Sequence, residues 1–281
     1  MNNNNTVLIK ICGKNLDNFL QNIITNDIKK LDDERLLYTS ILTPQGKFLH
    51  DFFLKKEKES FLIEVNKNEE YNLISVLKGY DIRDIYTFSI VAKKVKTMIY
   101  DDAITILNRE FAITGYEKND AFQAFLDPRA KNLFIRFWFN EKIGAESLFK
   151  FRSIDEESIE LHRIKMCVPN SQKDLEKNKS FLLNYKLDEF NAVSFEKGCY
   201  IGQENTAKQK YRGKLKYKLK VVKLLRGEFP KINENLIFSE KKIGVMKSSA
   251  KNLGLALIRE DFQNLKKELD ILGKDCSILI I

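Results

Sequence analysis

Apolar residues recur with a helical period near the start of the chain. From Asn15 onward the apolar positions lie mostly three or four residues apart: Leu16, Phe19, Leu20, Ile23, Ile24, Ile28 and Leu31. This spacing predicts one amphipathic helix that continues to Leu31. Short apolar runs predict strands at 7–11, 35–42, 47–54 and 61–65, with a hairpin turn over 44–46 and a second helix over 70–78.

The middle of the chain carries shorter patterns. Strands are predicted at 97–100, 105–107, 111–114 and 133–139, and residues 121–125 are predicted as a short helix. Ser153 followed by Glu156 has the spacing of a capping box, which predicts a helix that runs towards Cys167 and is closed by Pro169. The polar residues 170–180 predict a surface loop.

After Gly213 the period changes to two. Apolar side chains alternate with lysines over 215–221, which is typical of a strand with one face in water. Further strands are predicted at 236–238, 243–247, 254–258 and 277–281. The chain has no parallel βαβ rhythm and no GxGxxG motif, so the pattern favours an α+β class with a small β-barrel or jelly roll at the end.

Length and composition indicate the general class of protein and the number of domains. The 281 residues are 43% hydrophobic and 31% charged, which describes a soluble protein of two or three domains. The longest apolar run, SILII at 277–281, is far too short to cross a bilayer, so no membrane segment is predicted. The first ten residues, MNNNNTVLIK, lack the features of a targeting peptide, and we expect a cytoplasmic protein.

The four cysteines form no recognisable metal motif. Cys12, Cys167, Cys199 and Cys276 lie far apart, with no CxxC pair and no histidine at a ligand spacing. The sequence therefore predicts no zinc site and no complete iron-sulfur cradle, which normally takes four thiolates.

The segment KGCYIGQE, residues 197–204, concentrates the unusual chemistry of the chain. Gly198 allows a tight turn, Cys199 is a soft nucleophile, and Gln203 with Glu204 supplies an amide and a carboxylate. A helix that began near Gly198 would surround the Cys199 sulfur with unpaired amides and, together with Lys197, would favour the thiolate. A buried structural cysteine explains the same residue equally well.

Two ion pairs are predicted from spacing. Glu204 and Lys208 are four residues apart on the helix that the pattern continues through Arg212 to Gly213. Asp127 and Arg129 flank a proline, where a local salt bridge that shapes the loop is the expected role.

KGCYIGQE resembles the signature of the YgfZ family, folate-binding proteins related to the T-protein of glycine cleavage and to a mitochondrial iron-sulfur assembly factor. Other matching pieces occur in the same order: FLQNIITNDI at 19–28, LTPQGKFLHDF at 42–52, LDPR at 126–129, HRIKMCVP at 162–169 and AVSF at 192–195. The resemblance therefore covers nearly the whole chain. It implies a three-domain, ring-like α+β fold with tetrahydrofolate, or a derivative, in a central channel. The predicted domains are a discontinuous folate-binding domain, 1–90 with 153–212, a second α+β domain, 91–152, and a β-barrel, 213–281.

The resemblance also implies a set of folate contacts. Gln21, Thr25, Asn26 and Asp27 would line the channel, although Thr25 and Asn26 could instead bond the local backbone. Asp27 and Glu204 are the expected pterin contacts, because a carboxylate accepts two parallel hydrogen bonds. The other expected contacts are in or near the signature: Lys197, Gly198, Tyr200, Gln203 and Arg212.

The candidate reactive groups are Cys199 and Asp51. The T-protein commonly carries two adjacent aspartates where this chain has His50 and Asp51, and it carries a glutamate where Lys165 stands. His50 could act as a general base, but a lone strand histidine is more often structural. Cys167 replaces a glycine that is common in these relatives.

Three functions follow from these observations. The leading hypothesis is a folate-binding accessory protein for iron-sulfur cluster assembly or repair, with assembly proteins as partners and indirect effects on tRNA-modifying cluster enzymes. The first alternative is a tetrahydrofolate-dependent aminomethyl or methyl transferase. The second is a tRNA-binding protein, since the net charge of +9 favours anionic partners and Tyr211 and Tyr217 are interleaved in the lysine cluster over 208–223. A solvated strand face explains that lysine cluster equally well.

Overall fold

The computed structural model describes residues 5–104, 107, 111, 115–119, 121–140 and 155–281. The chain divides into two units. Unit 1 comprises Met1–Leu42, His50–Ile154 and Asn191–Ile201, and unit 2 comprises Thr43–Leu49, Asp155–Phe190 and Gly202–Ile281. The boundaries of three domains, 1–90 with 153–212, 91–152 and 213–281, stay a prediction.

The first sheet of unit 1 has five strands. They are β1 (Thr6–Cys12), β2 (Leu37–Leu42), β3 (Phe48–Glu57), β4 (Ser60–Asn66) and β5 (Thr87–Val91), in the order β2-β3-β4-β1-β5. Helices α1 (Leu16–Ile23) and α2 (Glu70–Tyr80) belong to the same unit. The strands predicted here are confirmed, and the hairpin between β2 and β3 turns at Gly46, where φ is +74°. That backbone conformation strains any residue with a Cβ, which explains the glycine.

The predicted helix from Asn15 to Leu31 is wrong in its second half. Helix α1 ends at Ile23, and Ile24 is extended, with φ −82° and ψ 151°. Ile24 forms an isolated antiparallel bridge with Ile41, and Thr25 N donates to Ser40 O at 2.9 Å. The chain resumes a single 3-10 turn at Ile28–Lys30. Pairing with β2 buries Ile24 as a helix would have, so hydrophobic periodicity alone cannot separate the two outcomes.

The second sheet of unit 1 has four strands. They are β6 (Lys93–Ile99), β7 (Tyr116–Lys118), β8 (Phe122–Leu126) and β9 (Phe134–Asn140), in the order β6-β9-β8-β7, and α3 (Tyr100–Ala103) follows β6. Residues 121–125 were predicted as a helix and instead form most of β8. Phe122 and Ala124 pack with Phe137 of β9 in one apolar cluster, a period-two pattern that suits a strand. The strands predicted at 105–107 and 111–114 lie mostly outside the described residues.

Helix α4 of unit 2 spans Glu156–Lys165. Asp155 caps this helix, since its carboxylate accepts from Ser158 N at 2.6 Å, whereas the predicted cap Ser153 lies outside the described residues. The helix ends at Lys165, before Pro169, and Cys167 lies in the left-handed region with φ +57°. A glycine at that position would adopt this conformation without strain.

The predicted surface loop over 170–180 contains a short helix, α5 (Ser171–Asp174). Asp174 at its end is fully buried and accepts hydrogen bonds from Arg163 Nη1 at 3.0 Å, Asn170 N at 2.7 Å and Ser248 N at 2.8 Å. The polar segment that predicted a surface loop thus contains Asp174, whose carboxylate forms a buried ion pair with Arg163. Another helix of unit 2, α6, spans Gln203–Tyr211 and contains the end of the signature.

The third sheet lies in unit 2 and is antiparallel throughout. Its strands are β10 (Tyr217–Gly227), β11 (Asn235–Phe238), β12 (Lys241–Ala250), β13 (Leu253–Arg259), β14 (Glu268–Asp270) and β15 (Cys276–Ile280), in the order β11-β12-β13-β10-β15-β14. Just after β14, Leu272 N donates to Ile237 O of β11 at 2.8 Å, so the two edges approach each other. The prediction of a small barrel is confirmed.

Candidate functional site

Thr25 and Asn26 are buried and bind backbone groups. The Thr25 hydroxyl donates to Ala192 O at 2.6 Å and accepts from Ser40 N at 3.0 Å. The Asn26 amide donates to Tyr38 O at 2.9 Å and to Asn191 O at 2.6 Å. These side chains tie the segment after α1 to β2 and to the chain that leads into the signature. They bind backbone groups, as the structural alternative held, but the partners are distant in sequence and not local.

Gln21 and Asp27 lie closer to solvent and bind each other. Gln21 Nε2 donates to Asp27 Oδ1 at 2.8 Å, and Gln21 Oε1 accepts from Ile28 N at 2.9 Å. Burial raises the pKa of the Asp27 carboxyl, but hydrogen bonds from Lys29 N and Gln21 and the charge of Lys197 outweigh it, so the pKa is lowered overall. Asp27 is therefore an ionised, half-buried acceptor at neutral pH.

Lys197, the first residue of the signature, points its ammonium into the backbone. Its Nζ donates to Gln21 O at 2.6 Å, to Ile24 O at 2.7 Å and to Asn26 O at 3.0 Å. Burial lowers the pKa of Lys197 to about 8, against the opposing charge of Asp27. The ammonium also lies 5.0 Å from the centre of the buried Tyr200 ring. Lys197 thus fixes the turn from α1 to Asp27.

Cys199 is exposed, which excludes the structural reading of a buried cysteine. The predicted helix start at Gly198 is wrong, because α6 begins at Gln203 and Gly202 precedes it in the left-handed region with φ 82°. Neither expected influence on the sulfur is in place, since the helix amides begin four residues later and the Lys197 ammonium binds three carbonyls. A Cβ added at Gly198, the residue before Cys199, would meet nothing within 4 Å.

Gln203, Glu204 and Arg212 belong to unit 2. Glu204 has a side chain that is 79% exposed and forms the predicted pair with Lys208, at 2.6 Å, which is confirmed. Arg212 is exposed at the end of α6. Asn205 Nδ2 donates to Gln45 O at 2.8 Å, which holds α6 against the turn of the β2–β3 hairpin.

Asp51 accepts a hydrogen bond from the Tyr38 hydroxyl at 2.6 Å. Asn26 binds the carbonyl of the same Tyr38, so the structure brings Asp51, Asn26 and Lys197 into one connected region of unit 1. His50 is buried, with Nδ1 3.1 Å from Glu69 Oε2, which is the structural role considered for it.

A network of buried charges in unit 1 was only partly predicted from the sequence. The predicted Asp127–Arg129 salt bridge is confirmed at 2.7 Å. Arg136 extends it, since Nη1 donates to Asp127 Oδ2 at 3.0 Å and Nε donates to Glu64 Oε1 at 2.9 Å. The available signal was one charged residue inside each of two apolar strands, FLIEV at 61–65 and FIRFWF at 134–139.

The lysine cluster over 208–223 is partly neutralised. Lys208 pairs with Glu204, Lys210 with Asp188 at 3.0 Å and Lys218 with Glu189 at 2.7 Å. Local ion pairs account for these three lysines without a nucleic acid. Binding of tRNA through this segment stays a prediction.

The described residues offer no metal-binding cluster and no membrane-spanning helix. They contain no group of three or more His, Cys, Asp or Glu side chains placed to hold a metal ion. Among the same residues, no helix combines the length and apolar character that a membrane span requires.

Comparison with solved structures defines the fold class. The glycine cleavage system aminomethyltransferase T from Bartonella henselae matches with a TM-score of 0.78 over 99% of this chain and 83% of that one, at 13% identity. The chain therefore has the T-protein fold, with α+β architecture. No family model matches the sequence.

Sequence similarity to named proteins narrows the class of protein further. A mitochondrial iron-sulfur cluster assembly factor IBA57 homolog from Neurospora crassa is 28% identical over 215 residues, which cover 73% of this chain and 49% of that protein. The tRNA-modifying protein YgfZ from Aliivibrio fischeri is 24% identical over 211 residues, 75% of this chain and 66% of that protein. The chain spans about half the length of the first of these relatives. Its sequence is thus similar to proteins named IBA57 and YgfZ and its fold is that of the T-protein, in agreement with the resemblance of its signature.

Proposed function

We propose that this chain is a folate-binding accessory protein of iron-sulfur cluster assembly or repair. The similarity to proteins named IBA57 and YgfZ carries the proposal, and the exposed Cys199 in the signature supports it. Iron-sulfur assembly proteins are the proposed partners, because the described residues offer no complete set of cluster ligands. A cytoplasmic location and an indirect effect on tRNA-modifying enzymes are parts of this proposal.

Tetrahydrofolate, or a derivative, is the proposed cofactor. Asp27 supports this choice, because its carboxylate is ionised, half-buried and held by Gln21 and Lys29 N. Such a carboxylate suits the adjacent amino and ring N–H groups of a pterin. The pterin contact expected of Glu204 stays a prediction.

Calorimetric titration with tetrahydrofolate under reducing, anaerobic conditions tests the cofactor. We expect saturable binding to the wild type and binding weakened about tenfold by Asp27→Asn, which removes a charged acceptor but keeps a good helix cap. Asp261→Asn is the matched control, because Asp261 is an exposed carboxylate of unit 2 that pairs with Arg259. Absence of binding to the wild type would remove the cofactor from the proposal.

The role of the thiol is tested separately in a strain that lacks this protein. Cys199→Ser should fail to restore the activity of iron-sulfur enzymes, because serine lacks a soft, oxidisable ligand. Cys12→Ser, a half-buried cysteine outside the signature, should restore it. Full rescue by Cys199→Ser would show that the thiol has no part in the function.

The second candidate function is a folate-dependent aminomethyl or methyl transferase. The T-protein fold and the Asp51 carboxylate, held by the Tyr38 hydroxyl, favour it. Against it, a histidine, His50, stands where the T-protein commonly has one of its two adjacent aspartates, so Asp51 is the single carboxylate of that pair. His50 is buried beside Glu69. Turnover of tetrahydrofolate with an aminomethyl donor would support this activity, and no turnover by folate-loaded protein would exclude it.

A further inference from the structure

A cavity of about 1160 Å³ lies in unit 1 at the end of the β3–β4 hairpin. It is lined by residues of both sheets of that unit, among them Lys10 and Lys55 from the first sheet and Tyr116 and Gln123 from the second. None of the residues predicted to bind folate is among the described residues that line it. Its volume slightly exceeds the range of roughly 300–1,000 Å³ that is typical of small-molecule sites.

Strand registers explain how the cavity arises. In the first sheet Lys55 and Lys10 both pair with Leu62, so their side chains share the face that carries Glu64. In the second sheet Gln123 shares a face with Phe125. The two faces are joined where Trp138 Nε1 donates to Glu64 Oε2 at 2.6 Å. Towards the hairpin the Lys93 ammonium of β6 lies 3.9 Å from Glu57 Oε1 of β3, and the cavity lies in the same region.

Gln123 carries an unsatisfied acceptor. The residue is 8% exposed, and no group in the described part of the chain donates to its Oε1. Buried side-chain oxygens are nearly always hydrogen-bonded, because leaving one without a donor destabilises the fold. An acceptor of this kind in a cavity wall indicates a ligand that brings an O–H or N–H group.

Lys55 supplies a buried cation in the same cavity. It is 4% exposed, its Nζ donates to Lys56 O at 3.2 Å, and the ammonium lies 5.9 Å from the Phe125 ring centre. Burial lowers the pKa of Lys55, in spite of the charges of Glu57 and Asp33. No carboxylate within the described residues forms an ion pair with it, and a buried ammonium without an anion is costly.

The lining as a whole, Lys55 included, carries more cations than anions. Six lysines line the cavity with four carboxylates, and Lys56 pairs with Asp17 at 2.8 Å. The excess of cations favours an anion, and lysine ammonium groups act as point charges for phosphate. Tyr116, which packs on Phe125 with ring centres 5.3 Å apart, adds an aromatic wall suited to a planar base.

We propose that this cavity binds a nucleotide-sized phosphate ester, with its phosphate at Lys55 and the neighbouring lysines and an O–H or N–H group donating to Gln123. The site is separate from the folate site proposed above and does not depend on it. Phosphate supplies the charge, the sugar or base supplies the donor, and neither part alone satisfies both buried groups.

Calorimetry with AMP, inorganic phosphate and adenosine tests the proposal on the full chain. AMP should bind saturably, and both fragments should bind at least about tenfold more weakly. Gln123→Leu and Lys55→Met should each weaken AMP binding roughly tenfold to a hundredfold, because each removes one strong polar contact. Lys266→Met, the loss of an exposed lysine of unit 2, should leave AMP binding unchanged.

The variants separate binding from folding. Gln123→Leu removes an unsatisfied buried oxygen, so its melting temperature should equal or exceed that of the wild type while AMP affinity falls. Equal AMP affinity in Gln123→Leu and the wild type, no AMP binding, or equal binding of phosphate alone would each overturn the proposal. Displacement of AMP by tetrahydrofolate would overturn the claim of a separate site, whereas loss of AMP binding with folate binding retained in Lys55→Met would support it.

Discussion

At the scale of single residues, the polar side chains of the signature region stabilise the backbone of unit 1. Lys197 binds three carbonyls, and Thr25 and Asn26 bind carbonyls near residue 191. Exposed Cys199 lies two residues from Lys197. The thiol therefore projects from a backbone segment that a buried ammonium holds in place.

Lys197→Met should destabilise the protein by about 2 kcal/mol. Methionine keeps the apolar stem but leaves the carbonyls of Gln21, Ile24 and Asn26 without their shared donor, and relief from burying a charge offsets part of that loss. The free energy of unfolding in urea measures the effect, with Lys266→Met as an exposed control. A Lys197→Met protein as stable as the wild type would mean that water replaces the ammonium.

Cys199 should be the first cysteine to react in the native protein. It is exposed, whereas Cys276 is buried and Cys12 and Cys167 are intermediate. Titration with a thiol reagent that releases a coloured product should show one fast phase, absent in Cys199→Ser and retained in Cys12→Ser. A fast phase that survives in Cys199→Ser would assign the accessible thiol to another residue.

The sequence named Gln21, Asn26, Asp27 and Lys197 as one site, and the structure brings them together. Their bonding partners were not predictable, because the main ones are backbone carbonyls as far as 176 residues away along the chain. A side-chain type indicates which chemistry is available, but a carbonyl can lie anywhere along the chain. The folate roles of these residues stay predictions.

At the scale of elements, strand positions followed from the sequence more closely than helix ends. The alternation after Gly213 predicted β10, whereas α1, α6 and the start of α4 end or begin at other residues than expected. Apolar periodicity shows which residues a strand or a helix buries. It does not show where a helix ends, because that depends on the backbone conformation of a single residue. Gly202, with φ 82° before α6, is such a residue.

Gly202→Ala should destabilise the protein by about 1 kcal/mol, and Gly198→Ala should have no measurable effect on stability. Gly202 is left-handed, where a Cβ is strained, while a Cβ at Gly198 would meet nothing within 4 Å. The melting temperatures of the two variants measure the difference, since both carry the same glycine-to-alanine change at positions four residues apart. Equal losses would mean that the glycines serve the same backbone role.

Two assignments failed for a common reason. Residues 121–125 form β8 and the chain after Ile23 pairs with β2, although short apolar runs there fit a helix as well. In each case a partner strand distant in sequence decides the conformation. Local periodicity contains no information on that partner.

At the scale of the whole molecule, buried charge joins the two sheets of unit 1. Glu64 on β4 and Arg136 on β9 are 72 residues apart in sequence, and Arg136 also binds Asp127. Burial raises the pKa of Asp127, but Arg129 and Arg136 outweigh it, so the pKa is lowered. The sequence showed the Asp127–Arg129 pair, which is local, and not the link between sheets.

Stability should fall as pH drops below about 4, since unfolded Asp127 binds a proton near its ordinary value of 3.8 while the folded carboxyl resists protonation. Asp127→Asn should make the dependence of unfolding free energy on pH shallower there by up to about 1.4 kcal/mol per pH unit. Ile135→Val, a buried neighbour on β9 without a proton to bind, is the control for lost stability. Parallel curves for Asp127→Asn and the wild type would contradict the role of this carboxylate.

The division into units constrains how this gene can change. The chain passes between the units five times, at 42/43, 49/50, 154/155, 190/191 and 201/202. Neither unit is therefore encoded by one uninterrupted stretch of DNA, so neither can be exchanged or duplicated as a single cassette. The last of these passages divides KGCYIGQE after Ile201, so a recombination breakpoint there would separate the thiol from the carboxylate of the signature.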